Sequence, residues 1–363
     1  MKVPNVKIGW TIGFLIWFCI WPASRSEGGR PDVKAKVGLE YDDNVFEQIE
    51  DRVGGLAAKF YMSLSSTPFR SRKTRVSLTY RCGCKKYLGS PSHGSLSTPE
   101  PIVNYLKLAL AHRLTEDVIF GIHGEVKGRA LRDKGREYPL SQYGYIQKIV
   151  GLSLGTNLTT SLVTTFSCRM YSVRFDRYPE SDHLSAEVLI GMKKRLYRRL
   201  WGELRVLWRR SEFEGHPLSE ELLPAGGHRR DILQEVGVSF RSYNGFLINC
   251  GYSFLKNTSN TYGYGFRTHR LTLLFGKALT RHLNFQLYCV LRFKRYVETV
   301  RGFLPVVSLP EEMEGNVIVA RLSGDISRHL GFDVQYSLRR DEATRNMFHT
   351  KSLCSSSLRF KFL

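Results

Sequence analysis

Between Leu283 and Phe293 every odd position is apolar: Leu283, Phe285, Leu287, Cys289, Leu291 and Phe293. The even positions between them are mixed and end in Arg292. On a helix those odd residues would be scattered around the whole circumference, whereas on a strand they form one face. The same period of two recurs along the chain, and a period of 3.6 is rare. It runs through Phe246-Ile248-Cys250-Tyr252-Phe254, Phe332-Val334-Tyr336-Leu338, Leu184-Ala186-Val188-Ile190-Met192 and Leu204-Val206-Trp208. Further strands are predicted over Val33–Tyr41, Gly55–Ser65, Thr74–Cys82, Ile102–His112, Val118–Gly128 and Tyr145–Leu154. The rest are Leu162–Ser172, Ile232–Arg241, Phe266–Leu279, Val317–Ile326 and Ser352–Leu363. The prediction is about sixteen strands, each of ~10 residues.

The connections between them alternate. Residues 43–53, 84–101, 129–142, 212–230 and 295–315 form long ones, while 113–117, 243–245, 280–282 and 327–330 form short ones. A transmembrane barrel with long outer loops and short periplasmic turns has this rhythm. No internal repeat of blade size argues for a propeller, and no Pro/Ser linker divides the chain. The fold class expected is all-β, a single antiparallel transmembrane β-barrel over 27–363. Composition agrees. Mean hydropathy is -0.25 and 24% of residues are charged, too polar for a helical membrane protein. Barrel strands tolerate this because every second residue faces the lumen.

The first residues read as a secretory signal. Lys2 and Lys7 precede an uncharged stretch from Ile8 to Trp21, and small polar residues follow through Ser26. Residues 1–26 are therefore expected to be a cleaved leader and the rest to reside in the outer membrane of a Gram-negative-type bacterium. Cys19 leaves with the leader. Of the other cysteines only Cys82 and Cys84 are close in sequence, and they lack the second pair or nearby His of a metal site. Neither metal nor cofactor is expected.

Val37-Gly38-Leu39-Glu40-Tyr41-Asp42-Asp43-Asn44-Val45-Phe46 resembles the opening of a bacterial family of outer-membrane β-barrel porins. Its members begin with a strand ending in Tyr-Asp-Asp/Ser-Asn-Val/Leu-Phe, and some occur in exopolysaccharide export loci. In physical terms Tyr41 would sit at the membrane interface with a wet hydroxyl. Asp42-Asp43-Asn44 would turn the chain out of the sheet through local side-chain hydrogen bonds, rather than hold calcium. The end, Ser357-Leu358-Arg359-Phe360-Lys361-Phe362-Leu363, resembles the terminal signal read by the barrel-insertion machinery, displaced by one residue.

The formal charge is +21. Assigning the apolar face of each strand to lipid leaves the cations in the lumen. The candidate pore-lining residues are Arg75, Arg81, Lys107, Lys127, Arg169, Arg205, Arg209, Arg241, Arg270, Arg292, Lys294, Arg321 and Arg339. Lys34, Lys36, Lys193, Arg359 and Lys361 share that face. Fewer carboxylates stand against them: Glu40, Asp42, Glu125, Glu187, Glu203, Glu235, Asp325 and Asp333. Such a lumen concentrates anions, so the partners expected are outer-membrane lipid and small anionic solutes or an acidic polysaccharide. Basic residues at the short turns (Arg70, Arg72, Lys73, Lys193, Lys194, Arg195, Arg198 and Arg199) would face anionic headgroups. Cations spread at period two along strands make no nucleic-acid module. An oligomer is compatible with this architecture.

No catalytic constellation stands out, and the phase of the strands sends His112 and His123 to opposite faces. The first reading is a passive, porin-like channel. A second is a structural or assembly barrel of a surface or exopolysaccharide system with a plugged lumen. A third is an outer-membrane lipid hydrolase with a Ser/His pair at the lipid face.

Overall fold

The computed structural model describes residues 29–89, 98, 100–132, 144–176, 179–214, 228–297, 315–344 and 347–362. The leader expected over 1–26 and the final Leu363 lie outside them. The described residues form a closed antiparallel barrel of sixteen strands, each paired with its neighbours in sequence and the first with the last. The first eight are β1 (Gly29–Asp42), β2 (Gly55–Arg70), β3 (Thr74–Tyr87), β4 (Glu100–Arg113), β5 (Val118–Arg132), β6 (Tyr145–Thr159), β7 (Leu162–Phe175) and β8 (His183–Tyr197). The second eight are β9 (Leu200–Phe213), β10 (Arg230–Tyr243), β11 (Phe246–Ser259), β12 (Phe266–Ala278), β13 (Leu283–Tyr296), β14 (Asn316–Asp325), β15 (Leu330–Thr344) and β16 (Met347–Phe362).

Each segment expected from period two becomes one strand, in order. The strands are longer than expected: β2 and β16 have 16 residues, and only β14 is as short as 10. Apolar alternation marks the belt alone, but the backbone ladder continues past it. Thus β3 runs beyond Cys82 through Lys85 to Tyr87. Closure is made by β1 against β16, from Val33 opposite Phe362 to Asp42 opposite Leu353. The connections at 71–73, 160–161, 198–199, 244–245 and 326–329 are tight and share one end of the barrel. Those at 114–117 and 279–282 share that end too, and the other end carries the longer connections together with the close step from Thr344 to Met347.

Two chemically different faces follow from the pleat. On β1, Val37, Leu39 and Tyr41 are exposed outward, whereas Glu40 and Asp42 are buried inside. On β13, Leu291 and Phe293 are exposed and Val290 is buried. On β16, Leu358, Phe360 and Phe362 pair with Val37, Ala35 and Val33 and continue the outward apolar face. Lys193 takes the lumen phase expected of it, and Arg195 shares that phase rather than facing headgroups. They sit on the inward phase of β8, over the Trp201 ring at 4.9 and 4.8 Å.

The Asp42-Asp43-Asn44 turn forms as expected, because the Asn44 N–H donates to Asp42 Oδ1 at 3.1 Å. It does not carry the chain outward. Val45 and Phe46 fold back and are fully buried against Ala57, Tyr87 and Val53. Asn44 locks the loop by donating to the carbonyls of Gln48 (2.7 Å) and Thr350 (3.1 Å), and its Oδ1 accepts the Gln48 N–H. Asp43 Oδ1 accepts the N–H of Ser352, which ties the turn to β16. Glu47 and Asp51 adopt left-handed backbone, with φ of 55° and 51°. That conformation disfavours residues with a Cβ, so contacts elsewhere in the loop must hold it. Asp42 supplies the main anchor. Fully buried, it meets Lys85 and Lys351 at 3.0 Å each and accepts the Tyr87 hydroxyl at 2.8 Å. Glu40 bridges Lys59 (2.7 Å) and Lys85 (3.1 Å) beside it.

Two outcomes test this arrangement. Leu291→Arg places a charge in hydrocarbon at a cost of ~2–4 kcal/mol and should impair insertion. Gln286→Arg, on the inward face of the same strand, should insert normally. Heat-modified gel mobility reads both, and equal behaviour would mean the phase of β13 is wrong. Asp42→Asn strips the buried Lys351 and the half-buried Lys85 of a shared partner and should destabilise the barrel by about 3 kcal/mol in urea titration. Asp325→Asn, which loosens an exposed pair at the short-turn end, should cost under about 1 kcal/mol.

Candidate functional site: the charged inner wall

The lumen face is built from the polar phase of all sixteen strands, and its charges are distributed unevenly around the circumference. On β3–β5 one carboxylate organises several groups. Glu125 accepts from Lys107 at 2.6 Å and from the Tyr105 hydroxyl at 3.1 Å, with His123 Nε2 at 3.7 Å. Arg81 lies over the Tyr105 ring at 5.6 Å, and Lys127 over Tyr145 at 5.8 Å. His112 takes the other face, as its phase requires, with Nδ1 2.8 Å from Thr74 Oγ1.

The wall from β14 to β1 is largely neutralised. Asp333 receives Arg321, Lys36 at 2.9 Å and Arg359 at 3.7 Å. Asp325 receives Arg359 at 2.7 Å and Lys361 at 3.0 Å. Arg339 meets Ser337 Oγ at 3.4 Å. A cavity of about 450 Å³ opens here, with Lys36, Lys59, Tyr61, Lys85, Gln335 and Ser355 on its surface.

The wall from β7 to β13 is different. Glu187, almost fully buried, is clamped between Arg169 and Arg209, the latter at 2.9 Å. Arg209 also stacks over Tyr171 at 5.3 Å. Arg270 bonds Glu235 and donates to Ser253 Oγ at 3.0 Å. Lys294 reaches across to Glu342 at 3.0 Å and lies over the Phe266 and Tyr296 rings at 4.6 and 4.7 Å. These cations converge with Arg205 and Arg292 on one cavity of about 220 Å³ whose carboxylate lining is Glu235. Arg270 stands directly opposite Arg292 in the ladder. Like charges so placed repel. Arg205 has glycine on both sides, Gly191 on β8 and Gly237 on β10. Thr165 and Ser253 side chains border the two glycines, and the Arg205 Nε is buried with no hydrogen-bond partner among the described residues.

The remaining candidates lie apart from this cavity. Arg75 donates to Thr67 Oγ1 at 3.4 Å, and Arg241 stands opposite Trp201 near the short-turn end. Sequence reasoning missed the aromatic partners of the cations, although Tyr105, Tyr145 and Tyr171 share the inward phase with them. It also missed Glu342, which lies beside a register irregularity between Glu342 and Thr344. Strict period two does not place such a residue.

No protein-family model and no curated protein matches the chain. Among solved structures it is similar to OccAB1 of Acinetobacter baumannii, with a TM-score of 0.52 and 8% identity over 93% of this chain and 98% of that one. A bacterial polysaccharide outer membrane secretin aligns at a TM-score of 0.49 and 7% identity, over 91% of this chain and 98% of that one. OpdK of Pseudomonas aeruginosa with vanillate aligns at 0.47 and 9%, over 92% and 99%. The chain thus has the fold of the outer-membrane channel barrels.

Proposed function

We propose that the protein resides in an outer membrane as a porin-like channel and favours small anionic solutes, acidic saccharides among them. The observation that carries the reading is the β7–β13 wall, where Arg169, Arg205, Arg209, Arg270, Arg292 and Lys294 line one cavity. Two unit charges ~4 Å apart interact by about 4 kcal/mol at an effective dielectric of ~20. An anion entering the cavity relieves that repulsion and gains guanidinium hydrogen bonds. On the β14–β1 wall Arg321, Lys36, Arg359 and Lys361 each reach Asp333 or Asp325, and Glu40 and Asp42 add further carboxylates, so an anion would gain less there. A passive path of this kind needs no cofactor. Export through the leader at 1–26 and insertion through the strand ending at Phe362 belong to the same reading.

The inward fold of Val45 and Phe46 favours a second reading, a barrel plugged at its long-loop mouth and serving a structural role. Planar-bilayer recording separates the two, because a plugged barrel conducts nothing. For a channel, Arg205→Glu with Arg292→Glu should move the reversal potential toward cations. The anion-to-cation permeability ratio should drop at least about threefold at low salt, where screening is weak. Lys36→Gln on the neutralised wall should change it by less than half as much. An unchanged potential in a correctly folded double variant would make these arginines structural.

A further inference from the structure

The outer surface of β11, β12 and β13 carries a second concentration of charge, away from the lumen. Lys256 stands directly opposite Arg267, and Arg267 directly opposite Arg295. All three are on the outward phase, near the long-loop end, and all are exposed. Among the described residues no carboxylate pairs with any of them. Neighbouring strands sit only ~4.8 Å apart, so this is a row of adjacent like charges, an arrangement that destabilises a sheet. The same rim one strand away behaves differently. There Glu212 pairs with Arg210 at 2.5 Å and with Arg230 at 3.3 Å.

Directly beneath the cations lies an apolar and aromatic row: Val206, Val236, Phe254, His269 and Phe293. Phe293 is 61% exposed. The His269 ring lies 5.2 Å from that of Phe254, and its Nδ1 is 2.8 Å from the Tyr252 hydroxyl. This local bonding leaves the cations above as the free polar groups of the patch. Long basic side chains over apolar surface extend their charge toward the headgroup layer, and guanidinium groups match phosphate oxygens two at a time.

We propose that Lys256, Arg267 and Arg295 bind the phosphate of a phosphorylated lipid in the leaflet at the long-loop end. Its acyl chains would lie on Phe254, Phe293 and the apolar rows beneath. The site is on the outside of the barrel, so it is separate from any solute path. It rests on the membrane location proposed above.

The test uses the full chain in phosphatidylcholine vesicles containing about 5 mol% phosphatidic acid or, with the same acyl chains and no phosphate, diacylglycerol. Heat-modified mobility in plain phosphatidylcholine vesicles is read first, and failure to insert there overturns the membrane location rather than the lipid site. Native mass spectrometry after gentle extraction then counts retained lipid. Phosphatidic acid should be retained over diacylglycerol, and K256Q/R267Q/R295Q should lower its retention at least about tenfold. The conservative R267K/R295K should keep most of it, and K194Q/R198Q/R199Q at the opposite end should change nothing. If the triple variant does not insert, R267Q alone should still lower retention relative to R267K. Equal retention of both lipids, equal retention by the variants, or displacement by free inorganic phosphate would overturn the proposal.

Discussion

In hydrocarbon an unpaired backbone N–H or C=O costs several kcal/mol, so a sheet crosses a membrane only when its first strand meets its last. The ladder between β1 and β16 meets that requirement here. Everything else depends on it. Once the sheet is closed, period two ceases to be a local habit of the chain and becomes a partition between two solvents. Leu39, Leu291 and Phe360 are held toward one, and Glu187, Asp333 and Lys351 toward the other. The tie from Asp43 to Ser352 and the ion pair of Asp42 with Lys351 join the two ends of the chain at the same seam. The residues after Tyr41 thereby reinforce the closure itself.

The partition also explains how a chain of formal charge +21 assembles without scattering its cations at random. Some are neutralised across short cross-strand steps, as Arg321 is by Asp333 and Lys107 by Glu125. Others rest on rings, as Lys294 does on Phe266 and Tyr296. A remainder stands in like-charged company: Arg205 among the cations of the β7–β13 cavity inside, and Arg267 against Lys256 and Arg295 outside. Charge held against its own repulsion draws anions from its surroundings. On the reading proposed here, the solvent facing each group decides whether that anion is a solute or a headgroup.

Much of this architecture was legible in the sequence because closed barrels repeat one rule. Alternation as plain as that from Leu283 to Phe293 specifies strand, phase and face together. The phase assigned to each strand is also the one that sends His112 outward and His123 inward. Three kinds of feature were not legible. Strand ends such as Lys85–Tyr87 lie beyond the apolar belt, where alternation has no partner solvent to reveal it. The return of Val45 and Phe46 into the mouth depends on Tyr87 and Ala57, which only the folded register brings near. Pairs such as Lys294 with Glu342, 48 positions apart, depend on how far each strand is staggered, which no local pattern encodes.

Fixed, incompletely neutralised cations on the β7–β13 wall are proposed to set what passes through the lumen. The most direct measurement is the ionic-strength dependence of selectivity in the unmodified channel. The Debye length shrinks from about 10 Å at 0.1 M salt to about 3 Å at 1 M. Anion preference should therefore be strongest in dilute electrolyte and fade toward the molar range. Preference for cations, or a selectivity that does not change with salt, would contradict it.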